Sequence, residues 1–185
     1  MSMFTLDFEK SLKDLEDKIS SLNKDNMSSV DYEDNMASLR FQMETEKKRI
    51  YSNLTRWQTI QIARHPLRPH TSDYIKSLTS EWIEIHGDRK YSDDPSIITG
   101  IALIGDIKCI LVGQEKGRST KDKLYRNFGM VRPEGYRKAL RVMKIAEKFN
   151  LPIISFIDTP GAYPGIGAEE RGQSQAIADN LFCMS

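Results

Sequence analysis

Ile157-Asp158-Thr159-Pro160-Gly161-Ala162-Tyr163-Pro164-Gly165-Ile166-Gly167-Ala168-Glu169-Glu170-Arg171-Gly172-Gln173 is the stretch on which the reading of this chain turns. Just before it, residues 152–157 make a short apolar run that predicts a fully buried strand. Beyond it, a helical pattern runs from about Glu170, with Ala176, Ile177 and Leu181 on the inner side. Between strand and helix, three glycines and two prolines fall within residues 160–167. That composition fixes a tight backbone path and lets a ligand approach the main chain closely. Open α/β sheets place their sites in the loops at the carboxyl ends of strands, where this segment lies.

Working back from the loop, Pro133 sits at a first helical position and opens a helix to Phe149. Tyr136, Leu140, Met143, Ile145 or Ala146, and Phe149 are the expected core face. Residues 97–104 and 107–113 are β-rich runs separated by Gly105-Asp106, which predicts a hairpin of undecided turn type. Residues 114–131 form a long polar stretch with Lys116, Arg118, Lys121, Lys123 and Arg126, and Arg132 follows directly. Within it, Phe128 and Met130 are expected to plug the core, with Asn127 or Gly129 at positive φ. A helix is expected from Thr71 or Ser72, burying Tyr74, Ile75, Leu78, Trp82 and Ile85 and ending at Gly87 in a left-handed cap.

The first fifty residues read as two amphipathic helices. Phe8, Leu12, Leu15, Ile19 and Leu22 make one apolar stripe, and Tyr32, Met36, Leu39, Met43 and Ile50 make a second. Residues 23–29 are polar and turn-like between them, and residues 54–63 predict a short helix ended by His65-Pro66. The expected organisation is a helical hairpin arm over residues 1–53 and a partial α/β domain over residues 54–185. Pattern alone goes no further than the class α/β.

Composition narrows the possible functions. The chain has 185 residues, 39% hydrophobic residues and a formal net charge of +1, so no global basic field points to nucleic acid. No run approaches the roughly 18 apolar residues of a membrane span. The N-terminus carries acids early and has no apolar signal core, which argues against secretion. Cys109 and Cys183 are too few for a zinc ribbon or a disulfide framework, and Cys109 in an apolar strand reads as a buried, reduced thiol. The three histidines, His65, His70 and His86, fall in the helical region expected before the first strand, and no Ser-His-Asp arrangement is apparent.

The 157–173 loop resembles the α subunit of the carboxyltransferase component of bacterial-type and plastid acetyl-coenzyme A carboxylase. Three further strings match in the same order: Gln58-Thr59-Ile60-Gln61-Ile62-Ala63-Arg64-His65-Pro66 with Arg68-Pro69, then Gly113-Gln114-Glu115-Lys116-Gly117-Arg118, then Arg126-Asn127-Phe128-Gly129-Met130 running into Pro133-Glu134-Gly135-Tyr136-Arg137-Lys138-Ala139-Leu140. The resemblance implies a crotonase-like (ClpP/crotonase) spiral fold, C-terminally truncated, behind the helical arm.

It further implies transfer of a carboxyl group from carboxybiotin to acetyl-CoA, giving malonyl-CoA for fatty-acid synthesis. Gly161, Ala162, Tyr163, Pro164 and Gly165 would line the carboxybiotin site, and the main oxyanion donors are expected beyond Ser185. The catalytic residues are therefore left unassigned, and this chain alone is expected to be inactive. Lys116, Arg118, Lys121 and Lys123 are candidate contacts for the phosphates of CoA or for the carrier.

The implied partners are a carboxyltransferase β subunit in an α2β2 assembly, the biotin carboxyl carrier protein and biotin carboxylase, in the cytoplasm or plastid stroma. Zinc is expected on the β subunit, with neither metal nor cofactor held by this chain. Asp158 reads as a turn or cap residue, and Glu169-Glu170-Arg171 as the start of the last helix, with its acids toward the helix dipole. The alternative, from another class, is a non-catalytic module binding protein or nucleic acid through the arm and the basic loop. Only Tyr125 and Phe128 interleave that loop as aromatics, which argues against single-stranded nucleic acid. A hydrolase acting alone would need a base and a complete oxyanion hole, and the sequence offers neither.

Overall fold

A computed structural model describes residues 4–22 and 28–185. Its contacts divide the chain into two units, one through Arg68 and one of Pro69–Ser185. In the first, a 3-10 turn at Asp7–Glu9 leads into α1 (Lys10–Ser21), followed by α2 (Ser29–Tyr51) and α3 (Arg56–Ala63). Helices α1 and α2 run antiparallel. Ser11 Oγ donates to Glu46 Oε1 at 2.7 Å, and Tyr51 Oη donates to Glu9 Oε1 at 2.6 Å. Leu12 is buried, and every other residue of the two apolar stripes is half-buried. The Ser28 hydroxyl caps α2, and Thr55 with Gln58 forms a reciprocal capping box on α3. The turn expected at residues 23–29 lies, for 23–27, outside the described residues.

The second unit contains α4 (Thr71–Leu78), β1 (Glu81–Glu84), β2 (Ile97–Ile104), β3 (Ile107–Gln114), α5 (Thr120–Tyr125), α6 (Pro133–Phe149), β4 (Ile153–Phe156), α7 (Ile166–Glu170) and α8 (Gln173–Met184). The four strands form one sheet in the order β1-β2-β3-β4. The first two pairings are antiparallel and β3–β4 is parallel, so α5 and α6 form the crossover of a β-α-β unit. Ile104 pairs with Ile107 across the hairpin. Gly105 has φ 58°, whereas Asp106 keeps a negative φ, which is the II′ arrangement with glycine first.

Alternation along β2 and β3 sends side chains to two cores. Ile98, Ala102, Cys109 and Leu111 pack with Ile75 of α4 on one face. Ile110 meets Val142 and Ala146 of α6 on the other. Covered on both faces, these strands read as nearly continuous apolar runs. Cys109 is fully buried, and burial pushes its thiol pKa up.

Several expectations need correction. The helix expected from residue 71 through Ile85 ends at Leu78, and Glu81–Glu84 is a strand. Leu78, Trp82 and Ile85 fit a helical spacing, but Trp and Ile also favour strands, and pairing with β2 decides between them. Thr79 closes the helix, its hydroxyl donating to Ile75 O at 2.8 Å. Gly87, at φ 73°, therefore turns the chain after a strand and caps no helix, and His86 lies beyond the first strand.

The run at 152–157 does form a strand, but an exposed one. Ile153, Ile154 and Ile157 are 43%, 37% and 85% exposed, because among the described residues β4 pairs on one side only. On α6 the buried face is Ala139, Val142, Met143 and Ala146, while Phe149 is exposed. The last helix starts at Gln173, behind Gly172 in the left-handed region, and it buries Ala176 and Asn180 while Leu181 faces solvent.

Candidate functional site

Parallel pairing sets the carboxyl ends of β3 and β4 side by side, so Gln114-Glu115-Lys116 borders the root of the 157–173 loop. Gln114 Oε1 accepts the Asp158 backbone N–H at 2.9 Å, and Lys116 Nζ forms an ion pair with the Asp158 carboxylate. The Thr159 hydroxyl accepts from Gly161 N–H at 3.0 Å, closing a local turn. Ala162 forms a parallel bridge with Val131, and Tyr163 N–H donates to Val131 O at 2.9 Å. Buried Gln173 ties the loop together from behind, donating to Val131 O at 2.9 Å and to Tyr163 O at 3.1 Å.

Gly161, Ala162, Tyr163, Pro164 and Gly165 thus form one continuous stretch pinned at both ends. Gly161 has φ 135°, and a Cβ placed there would meet nothing within 4 Å, so its backbone lies open. The Tyr163 ring folds back over Gly165, where an added Cβ would lie 2.3 Å from its edge. The Arg132 guanidinium sits 4.8 Å from the centroid of the same ring, within cation–π range.

Below the loop, α6 supplies charged anchors. Buried Glu134 accepts from Arg171 at 3.0 and 3.2 Å, and Arg171 also lies over the Tyr91 ring. Arg137 reaches Asp88, whose Oδ1 accepts three backbone N–H groups from Lys90, Tyr91 and Ser92. Lys138, 1% exposed, donates to Asp93 Oδ1 at 2.6 Å and Asp94 O at 2.7 Å. Burial alone would raise the Asp93 carboxyl pKa; the bonds from Lys138, Gly87 and His86 outweigh it and hold the group down at about 2. Glu169 and Glu170 end the five-residue α7 and do not open the last helix, because Gly172 at φ 78° breaks the chain there.

Three of the six basic residues in and beside the stretch hold carboxylates. Arg118 pairs with Asp73, Arg126 with Asp122, and Lys116 with Asp158, while Lys121 and Lys123 are exposed on α5. Asn127, Phe128 and Gly129 all have positive φ, at 47°, 56° and 80°. Phe128 is 47% exposed and so does not plug the core, and Met130 is half-buried. A non-glycine residue in this conformation costs about 1–2 kcal/mol.

Glu115 escaped the sequence reading. It is 2% exposed and accepts from His70 Nδ1 at 2.8 Å, Ser72 N–H at 3.0 Å and Gly117 N–H at 3.1 Å. A charged residue directly after a strand of apolar residues was the available signal, since buried carboxylates need such partners. Among the described residues, no three His, Cys, Asp or Glu side chains are grouped to hold a metal, and no helix is long and apolar enough to cross a membrane.

Residues 5–185 match the family described as acetyl co-enzyme A carboxylase carboxyltransferase-like. The carboxyl transferase α subunit of acetyl-coenzyme A carboxylase from Syntrophotalea carbinolica is 53% identical over 178 residues, covering 96% of this chain and 56% of that protein. The corresponding subunit from Bordetella pertussis is 54% identical over 181 residues, covering 97% and 56%. The chain therefore spans about half the length of the curated relatives it matches. Among solved structures, a transcarboxylase 12S crystal structure with methylmalonyl-coenzyme A and methylmalonic acid bound aligns with a TM-score of 0.51 at 18% identity, over 66% of this chain and 23% of that one. At that identity the likeness speaks to the fold, which is that of crotonase-like carboxyltransferase domains over part of the chain.

Proposed function

Because this chain belongs to the acetyl co-enzyme A carboxylase carboxyltransferase-like family, we propose that it serves as the α component of the carboxyltransferase that makes malonyl-CoA. In the proposed reaction the bond between N1 of carboxybiotin and its carboxyl group breaks, and a carbon–carbon bond forms to the methyl carbon of acetyl-CoA. The methyl proton ends on biotin N1, so the products are biotin and malonyl-CoA. The observation that carries this reading is identity above 50% along nearly the whole chain, through a match that includes the entire 157–173 loop.

Carboxybiotin, delivered by the biotin carboxyl carrier protein, would lie along Gly161, Ala162, Tyr163, Pro164 and Gly165. Open backbone at Gly161 and a fixed tyrosine beside it support that placement. Charge developing on the ureido oxygen and on the thioester oxygen calls for fixed backbone N–H donors in a site shielded from water. A β subunit carrying zinc would complete an α2β2 assembly. Biotin carboxylase would regenerate carboxybiotin, all in the cytoplasm or plastid stroma. Exposed Lys121 and Lys123 remain the better-placed contacts for CoA phosphates or the carrier, since Lys116 and Arg118 already hold carboxylates.

The test mixes malonyl-CoA and biocytin with a β subunit and either this chain or one extended to the relatives' length, and follows acetyl-CoA release. Release that requires the α chain, in at least the extended form, is the expected result. A stable complex with the β subunit that releases none in either form would refute the assignment.

A further inference from the structure

We infer that Lys116 is a positioning residue for the 157–165 loop, acting through Asp158; the inference deepens the biotin reading of that loop. Three observations converge on the pair. First, Asp158 is held twice from the end of β3 and the residues just after it: its backbone N–H by Gln114 Oε1 at 2.9 Å and its carboxylate by Lys116. Those two side chains therefore set the direction in which the chain leaves β4.

Second, Lys116 is itself fixed. The preceding residue, Glu115, is buried and bonded to His70, Ser72 and Gly117, and its own N–H donates to Ser96 O at 2.9 Å. Third, the lysine stem and the loop meet at one point. A Cβ on Gly129 would lie 2.7 Å from Lys116 Cγ and 3.5 Å from Pro160 Cδ, so only a glycine leaves room for this approach. Arg118 and Arg126 spend their charges on Asp73 and Asp122, outside the loop. Lys116 differs from them in reaching across to the segment that leaves β4, and its side chain is only 29% exposed. An ion pair shielded to that degree keeps more of its strength than a fully solvated one.

The test is amide hydrogen exchange on this 185-residue chain, resolved by peptide, for wild type, Lys116→Met, Lys116→Arg and Asp158→Asn. Loss of the pair should speed exchange in 157–163 by about fivefold, the scale of one partly shielded ion pair, in both Lys116→Met and Asp158→Asn. Exchange in β2 and α6 should stay at wild-type rates, and Lys116→Arg should stay within about twofold of wild type. Unchanged loop exchange in both charge-removing variants would overturn the inference. So would acceleration spread evenly over the whole domain, which would make Lys116 a general stability residue. The same variants in the assembled carboxyltransferase should raise the KM for biocytin and leave kcat within about twofold, an effect general destabilisation would not produce. Faster loop exchange with an unmoved biocytin KM would uphold the clamp and remove biotin from the loop.

Discussion

Glu115→Ala should lower the stability of the α/β domain by about 3 kcal/mol, or roughly 10 °C in Tm. The wild-type carboxylate satisfies two backbone N–H groups, those of Ser72 and Gly117, and accepts from His70 in a setting where it is 2% exposed. Removing it strands those donors out of water and leaves a void, and each effect alone reaches 1–3 kcal/mol. Burial on its own pushes the Glu115 carboxyl up; the bonds from Ser72, Gly117 and His70 outweigh it, so the group is held below its usual pKa. A depressed carboxylate contributes stability that is complete above the unfolded value, near 4.3, and is lost as pH falls through the folded value. The stability gap between wild type and Glu115→Gln should therefore shrink as pH drops below about 4. Urea melts at pH 7 and pH 3.5 check both parts. A loss under about 1 kcal/mol for the alanine variant, or a gap that widens in acid, would contradict this account of the residue.

Gly113→Ala should be about as damaging, near 3 kcal/mol, by overpacking. A methyl group there would lie 2.3 Å from Thr71 Cγ2, 2.9 Å from Thr71 Oγ1 and 3.2 Å from Phe156 Cβ. None of these can retreat cheaply. Thr71 is buried and β-branched, and its hydroxyl donates to Gln114 O at 2.6 Å, while Phe156 is fixed in the strand paired with β3. The first turn of α4 must therefore lift from the sheet, carrying Ser72 away from Glu115. Calorimetry should show the lowered Tm, and the exchange rates of Ser72 and Gly117 amides should rise together. An alanine variant as stable as wild type would mean that α4 does not sit on Gly113 in solution.

Much of the frame was readable from local pattern. The Gly105-Asp106 turn, the two β-rich runs beside it, the Pro133 helix start and the strand before the loop are set by nearby residues, and each forms where expected. Elements whose character depends on distant partners differ from what local pattern predicts. Trp82 and Ile85 continue a helical spacing from Leu78, and only hydrogen bonding to β2 makes their segment a strand. The apolar run of β4 looks the same whether its faces are covered or bare, so its exposure could not be seen in sequence. The chemistry of Phe128 predicts an inward side chain, whereas three consecutive positive φ angles turn it outward.

The loop itself stood out by its glycines and prolines, but its supports did not. Gln114, Lys116 and Gln173 reach it from 44, 42 and 10 residues away along the chain. Contacts at such separations follow from the parallel β3–β4 pairing and the placement of α8, which a single sequence does not reveal. The charges of the basic stretch had the same difficulty: their number was plain, and their partners were not. Asp73 comes from α4 and Asp158 from the loop after β4 to meet them, whereas Arg126 meets Asp122 only four residues back along the chain.

Whether the 157–165 loop receives biotin is read by titrating the isotopically labelled chain with biocytin and following amide chemical shifts. Saturable shifts at the amides of Gly161, Ala162, Tyr163 and Gly165, with β2 and α6 unmoved, are the expected result. Saturable shifts confined to other parts of the domain, or none at any concentration up to the solubility of biocytin, would contradict it.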